Sequence, residues 1–404
     1  MRRPGPGVHG HARRLSRPMA RLLRAAATHR DFAHPLPARL LNGVDARAIG
    51  PAAEMHRVAG PVYLALRELE RVPESTLVEL RAAYQDGVAR HLKAVAALRF
   101  VADTLGRSTR PWVVFKGPVL AAACYPRPDL RRYTDLDLLV RPRDLGQVVA
   151  DLEAVDCEVL DRNWDFIDDQ NIGEIHLKTS DGVYVDLHHD LVYDRAKRER
   201  FRVDVDAALT RATPVSVGTG EFPTFSPEDS VLHLALHSAL AGADKLGWLM
   251  DVDQSLRRRP PDWNELTARA AEWRVNLVAH VILHRCAVVL GTPVPIEVLK
   301  QLASNAAWRA GVRLVHRLDP VERLAGGRSP SRTVARVASG DTTTSVQMLG
   351  RGLVRTASAP FGRGRAAVLA NHVTALSYDS GGSERRDALF RRLASTESGE
   401  AIPP

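Results

Sequence analysis

Asp135 and Asp137 stand one residue apart at the head of the run Thr134-Asp135-Leu136-Asp137-Leu138-Leu139-Val140, and Asp186 stands in a second such run, Val183-Tyr184-Val185-Asp186-Leu187-His188-His189. Successive side chains of a β-strand alternate faces, so Asp135 and Asp137 share one face while Leu136, Leu138 and Val140 share the other. Asp186 repeats the pattern between Val185 and Leu187. Three carboxylates gathered on adjoining strands repel one another and resist desolvation, so the arrangement calls for a compensating cation. The expected ion is Mg²⁺, which takes one or two carboxylates together with waters and phosphate oxygens. The chemistry this points to is a two-metal carboxylate site working on a phosphate compound, with Mn²⁺ as a substitute for Mg²⁺.

Positioning these residues requires a small sheet. Trp112-Val113-Val114-Phe115 reads as a short strand followed by Lys116-Gly117 and a helix in which Pro118 suits the first turn. Pro142-Arg143-Asp144-Leu145 opens another helix, to about residue 155, and Cys157–Leu160 is a further β run. Glu174–Thr179 and Val183–His188 form a hairpin across Ser180-Asp181-Gly182, an Asp-Gly turn. Residues 110–190 are thus expected to be an α/β unit with a mixed sheet.

On either side the pattern is helical. Leu77, Leu80, Tyr84, Val88, His91, Val95, Leu98 and Val101 recur at spacings of three and four, with Ser75 as a cap and Gly106 as the stop. Pro227 starts a second helical region, whose apolar helix Leu277–Leu290 is stopped by Gly291-Thr292-Pro293. The expected fold class is α+β, a small mixed sheet flanked by N-terminal helices and a C-terminal helical domain. The expected divisions are a disordered basic tail at 1–18, an N-terminal helical segment at 19–106, the α/β core at 107–215, a helical domain at 226–320 that selects the substrate or acceptor, and a basic, partly disordered region with helical pieces at 321–404.

Composition is that of a globular protein, 45% hydrophobic and 25% charged. The net charge of +9 is unevenly placed: residues 1–50 carry +8 and residues 305–404 carry +7, leaving −6 for the stretch between. Basic ends can neutralise nucleic-acid phosphates, but solvated Arg-rich faces are the favoured reading. The acidic middle also disfavours a long nucleic-acid groove at the site itself. No apolar run is long enough for a membrane span, and no secretion signal is legible. Cys124, Cys157 and Cys286 have no metal-ligand spacing and read as free thiols, so a cytoplasmic protein is expected.

The combination Phe115-Lys116-Gly117, Tyr125, Arg131-x-x-x-Asp135-Leu136-Asp137-Leu138-Leu139-Val140 and Val185-Asp186-Leu187-His188 resembles the nucleotidyltransferases of the DNA polymerase β-like superfamily, specifically its bacterial family of uncharacterised nucleotidyltransferases. The likeness continues through Pro227-Glu228-Asp229, Leu249-Met250-Asp251, Asp262-Trp263 and Leu290-Gly291-Thr292-Pro293-Val294-Pro295, over roughly residues 90–300. Better-known members have Gly-Ser after the first strand where this chain has Lys116-Gly117. The resemblance implies Mg²⁺-dependent transfer of a nucleoside monophosphate from an NTP to a hydroxyl-type acceptor, with release of pyrophosphate. It implies that Asp135 and Asp137 hold the metals and that Asp186 ligates the catalytic metal and takes the nucleophile's proton. Gly117 would admit phosphate to the backbone N–H groups at a helix start, and Lys116 or Arg131 would neutralise the triphosphate. Arg131 has an equal alternative role, pairing with an aspartate and orienting it. The acceptor stays open between a small molecule, a peptide and a protein.

Two other functions compete: a catalytically silent nucleotide-binding or interaction module, and an RNA-directed nucleotidyltransferase using the Arg-rich ends. His233 and His237 have metal-ligand spacing without an intervening Glu, and so read as structural or substrate-pocket residues. Glu174 and His176 face either the cleft or an exposed hairpin face, and His188, on the same face as Asp186, either supports it from behind or packs against the sheet edge. Trp248, Trp263 and Trp273 read as core.

Overall fold

A computed structural model describes residues 15–30, 32, 34–318, 330–348 and 382–395. The N-terminal helices are α1 (Arg17–Thr28), α2 (Ile49–Met55), α3 (Ala59–Leu66) and the long α4 (Glu74–Leu105). The middle of the chain holds β1 (Trp112–Val114), α5 (Gly117–Cys124), β2 (Asp135–Val140), α6 (Leu145–Glu153), β3 (Glu158–Val159), α7 (Trp164–Asp169), β4 (Glu174–Lys178), β5 (Tyr184–His188), α8 (Arg195–Arg198), α9 (Val205–Thr210) and the hairpin β6 (Thr213–Val217) and β7 (Gly220–Thr224). Helices α10 (Pro227–Ala241), α11 (Leu246–Arg258), α12 (Trp263–Glu272), α13 (Asn276–Leu290), α14 (Ile296–Leu302), α15 (Ala306–Leu318) and α16 (Pro330–Val337) follow, then a short helix at 342–348 and a C-terminal helix, Gly382–Ala394. The fold is α+β, as expected.

The main sheet has the order β1-β2-β5-β4-β3, with β2 and β5 parallel and every other pair antiparallel. A parallel pair needs a long crossover, here supplied by α6, β3, α7 and β4. The period-two alternation splits the sheet into two faces. Leu136, Leu138, Val140, Val185, Leu187, Ile175 and Leu177 enter one core with the C-terminal half of α4, α6 and the C-terminal helix. The opposite face carries the acids and looks toward the helical domain. There Phe115 and Leu139 join a second, larger core with α1 to α3, α10, α11 and α13.

Several local expectations change. Helix α1 begins at Arg17, inside the stretch expected to be disordered, because Ser16 Oγ accepts the N–H of Met19 and Pro18 fits the first turn. Helix α4 starts at Glu74 after Pro73, so Ser75 lies within the first turn and does not cap it. The hairpin β6–β7 and helix α7 were not anticipated. Residues 1–14 of the expected tail, 319–320 of the expected helical domain, and 321–329, 349–381 and 396–404 of the expected basic region lie outside the described residues. Among the described residues no helix is long and apolar enough to cross a membrane. All three cysteines are buried and free.

Candidate active site

The parallel register of β2 and β5 sets Asp137 directly opposite Asp186, and the antiparallel register of β5 and β4 sets Asp186 opposite His176 and His188 opposite Glu174. Asp137, Asp186 and His188 each offer a ligand atom within 4.8 Å of the others, the one cluster of this kind among the described residues. Asp135 shares the face and lines the cleft in front of the sheet, but is not part of that close group. Sequence spacing named the aspartates. It gave His188 only an uncertain place, because facing its own strand neighbour says nothing about what lies across the sheet.

Asp137 is the most heavily engaged of the acids. Lys116 Nζ sits 2.6 Å from its Oδ1, and His188 Nε2 lies 3.6 Å from the same oxygen. Behind His188 a buried relay continues: His188 Nδ1 lies 3.3 Å from Glu174 Oε2, Glu174 Oε1 lies 3.4 Å from His176 Nε2, and His176 Nδ1 lies 3.1 Å from both oxygens of Asp161. Glu174 and His176, read from sequence as cleft or exposed hairpin face, are thus interior links that orient the acids. Burial works against the Asp137 charge, yet Lys116 and His188 hold its carboxyl far below the usual range. Among the described residues Asp186 has no such ion-pair partner. Burial, then the Asp137 and Glu174 charges, push it up to about 7. Asp135 is raised by burial and by Asp137. The face therefore holds more negative charge than its own cations balance.

Gly117 occupies the turn between β1 and α5 with φ +55°, and a Cβ there would lie 3.1 Å from the Asp135 carbonyl oxygen. Only glycine fits both demands without strain. Phe115 N–H donates to the Asp137 carbonyl at 3.1 Å, so the turn is fixed to the strand that carries the acids.

Arg131 is buried and committed elsewhere. Its Nε and Nη2 donate to the two carboxylate oxygens of Asp251 on α11 at 2.8 and 3.0 Å, and Nη1 donates to the Gly117 carbonyl at 3.2 Å. Tyr125 Oη donates to the same Asp251 at 2.6 Å. Of the two roles open from sequence, the geometry is that of the aspartate pair, but with Asp251, 120 residues away in the chain and so invisible to local spacing. This bidentate pair ties the loop before β2 to the helical domain and braces the Gly117 turn.

An open cleft of about 560 Å³ lies between sheet and helices, lined by Arg57, Lys116, Arg132, Asp135, Asp137, His237 and Trp248 among others. Trp248, expected in a core, forms part of its wall with Lys245 Nζ 4.9 Å above the ring. Trp273 is core. His233 is buried beside Phe115 and Phe225, while His237 reaches the cleft. Burial and then the Lys116 charge bring His237 down to about 3, so it stays neutral.

Residues 42–291 match the family described as uncharacterised nucleotidyltransferases. No curated protein and no solved structure matches the chain.

Proposed function

The chain belongs to the uncharacterised nucleotidyltransferase family and is therefore a transferase; on that footing we propose that it moves a nucleoside monophosphate from an NTP to a hydroxyl-type acceptor, dependent on Mg²⁺ or, in its place, Mn²⁺, and releases pyrophosphate. The observation that carries this reading is the register pair of Asp137 and Asp186 on parallel strands, with Asp137 and Asp135 lining the cleft and with negative charge in excess. The donor set fits a hard divalent ion, since carboxylate oxygens predominate. Asp137 and Asp186 would hold it, with Asp135 at the cleft side and His188 Nε2 behind. A bound divalent ion would supply charge neutralisation for the attacking and leaving oxygens.

The chain's own residues carry the remainder. Asp186 takes the proton of the acceptor hydroxyl as its oxygen attacks the α-phosphorus; the new P–O bond forms, and the bond to the β-phosphate oxygen breaks with its electrons leaving on pyrophosphate. Lys116, held on Asp137, keeps that carboxylate ionised and adds positive charge beside the reacting phosphate. Gly117 brings backbone N–H groups at the start of α5 close to the phosphates. The helical wall with Trp248 and His237 selects the acceptor, a small molecule, a peptide or a protein side chain.

One contact favours a second reading. Lys116 already places a cation on Asp137, as a nucleotide-binding module that no longer transfers would do. Incubation with labelled NTPs, Mg²⁺ or Mn²⁺ and a cell extract, followed by mass spectrometry, separates the two. Transfer predicts a product heavier by one nucleoside monophosphate. Tight NTP binding with no such product in any extract supports the module.

A further inference from the structure

Most charged side chains of the cleft are already matched: Lys116 with Asp137, Arg131 with Asp251, and Arg132 with Glu54. Two are left over. Among the described residues the Asp135 carboxylate has only a long contact from Thr134 Oγ1 at 3.4 Å, and the guanidinium of Arg57, a half-buried residue, has no hydrogen-bond or ion-pair partner. They line the same cleft without pairing with each other. Burial and the nearby Arg131 charge weaken the hold of Arg57 on its proton, while Asp251 and Asp135 strengthen it. A cation that opens to a cleft also lined by an unpaired carboxylate is free to take an anionic ligand, and charge-assisted hydrogen bonds to phosphate are strong.

The backbone at Arg57 is held in place just as firmly. Its φ is +60°, a left-handed conformation uncommon outside glycine, in the loop that follows α2. That loop is fastened to the first turn of α11: Gly247 N–H donates to the His56 carbonyl at 2.9 Å, and a Cβ at Gly247 would come within 2.9 Å of the Arg57 Cβ. Strain of this kind persists where the surroundings over-determine it, and it gathers at ligand clamps.

A ligand that satisfies both leftovers brings an anion to Arg57 and a cation to Asp135 at once, which is the description of a nucleoside triphosphate with its divalent ion. We propose that Arg57 grips the terminal phosphates of the NTP. The assignment rests on the nucleotidyl-transfer reading and adds to it: the residue comes from the N-terminal helices, and it does what Arg131, engaged with Asp251, is not placed to do.

The test is calorimetric binding of ATP, CTP, GTP and UTP, each with Mg²⁺, and of the corresponding monophosphates, to wild-type protein, Arg57→Asn and Arg57→Lys. Asparagine tolerates the left-handed backbone, so its loss of charge is not confounded by added strain. Arg57→Asn is expected to weaken triphosphate binding roughly ten- to hundredfold, the range for losing hydrogen bonds to a charged group, and to leave monophosphate binding within about twofold. Arg57→Lys is expected to recover part of the loss. Equal triphosphate binding by wild type and Arg57→Asn, or an equal loss for monophosphate and triphosphate, overturns the role of Arg57 alone. A wild-type protein that binds no triphosphate overturns the transfer reading and this one with it.

Discussion

At the residue scale, the facing of a side chain was legible where strand alternation alone sets direction. Asp135, Asp137 and Asp186 were recognisable because a hydrophobic run on the opposite face fixes which way each carboxylate points. The Arg131–Asp251 pair was not, since nothing local in either segment signals the other. Their coupling gives a prediction. Arg131→Met leaves Asp251 buried with only Tyr125, and stability should fall by about 3–5 kcal/mol, the range for breaking a buried ion pair; a denaturant midpoint equal to wild type contradicts it. Arg131→Lys should fall between the two, because an ammonium cannot reproduce the fork to both oxygens. Gly117→Ala should lower stability by about 1–2 kcal/mol through its left-handed φ, and thermal unfolding measures this. Asp186→Asn, measured with a chelator present, should leave the melting temperature unchanged or raised, since it removes one of several crowded like charges.

At the element scale, strands and helices with strong periodicity were found close to where they lie, whereas β6–β7 was missed because Pro214 and Pro223 dilute the β signal. Helix α4 was read as part of one N-terminal segment, but it joins two cores: Leu77 and Leu80 pack with α1 to α3, and Leu98, Val101 and Leu105 pack under the sheet. Periodicity reports that a face is apolar and not which neighbour covers it. The packing of α13 on α14 and α15 carries a pH prediction. His284 Nδ1 and His316 Nδ1 lie 2.8 Å apart, so one donates and the other accepts, and His280 Nδ1 meets the Leu299 carbonyl at 2.9 Å. Burial, helped by Arg285 and the neighbouring histidines, keeps His316 at about 2, and burial brings His280 down to about 4. Arg309 and Arg313 also face this cluster. The unfolded chain therefore binds protons that the folded chain refuses. The contribution of these histidines to stability should be full above the ordinary histidine value of 6.5 and should decline as pH falls from there toward 4, by up to about 1.4 kcal/mol per pH unit for each. Melting temperatures between pH 8 and 4.5 measure it, and His316→Leu should show a shallower decline; a wild-type slope in that variant contradicts the assignment.

At the scale of the whole molecule, the acids face a cleft because the chain covers the other side of the sheet completely. The last part of that cover is the C-terminal helix, whose Leu389 and Leu393 are buried beside α6 and α7 and whose Arg386 and Arg392 pair with Glu153 and Asp168. Phe390 lies against Gly146, where an added Cβ would come within 2.9 Å. The sequence offered this helix only as one piece of a basic tail, since its partner surface is more than 200 residues away. Leu393→Ala should detach it, at about 2–5 kcal/mol for a buried leucine, and raise amide exchange in α6 while leaving α13 protected; unchanged exchange in α6 would show that the contact contributes nothing. On the open side, the cleft lies between Asp135 and Asp137 of the sheet and Trp248 and Asp251 of α11. The most direct measurement of that account is pyrophosphate release from an NTP in the presence of Mg²⁺ and an acceptor pool, for wild type and Asp186→Asn. Wild type is expected to release pyrophosphate only with the metal, and the variant at a rate at least about a hundredfold lower, a loss of about 3 kcal/mol of transition-state stabilisation or more. Equal rates for the two proteins, or release that persists undiminished in chelator, would contradict it.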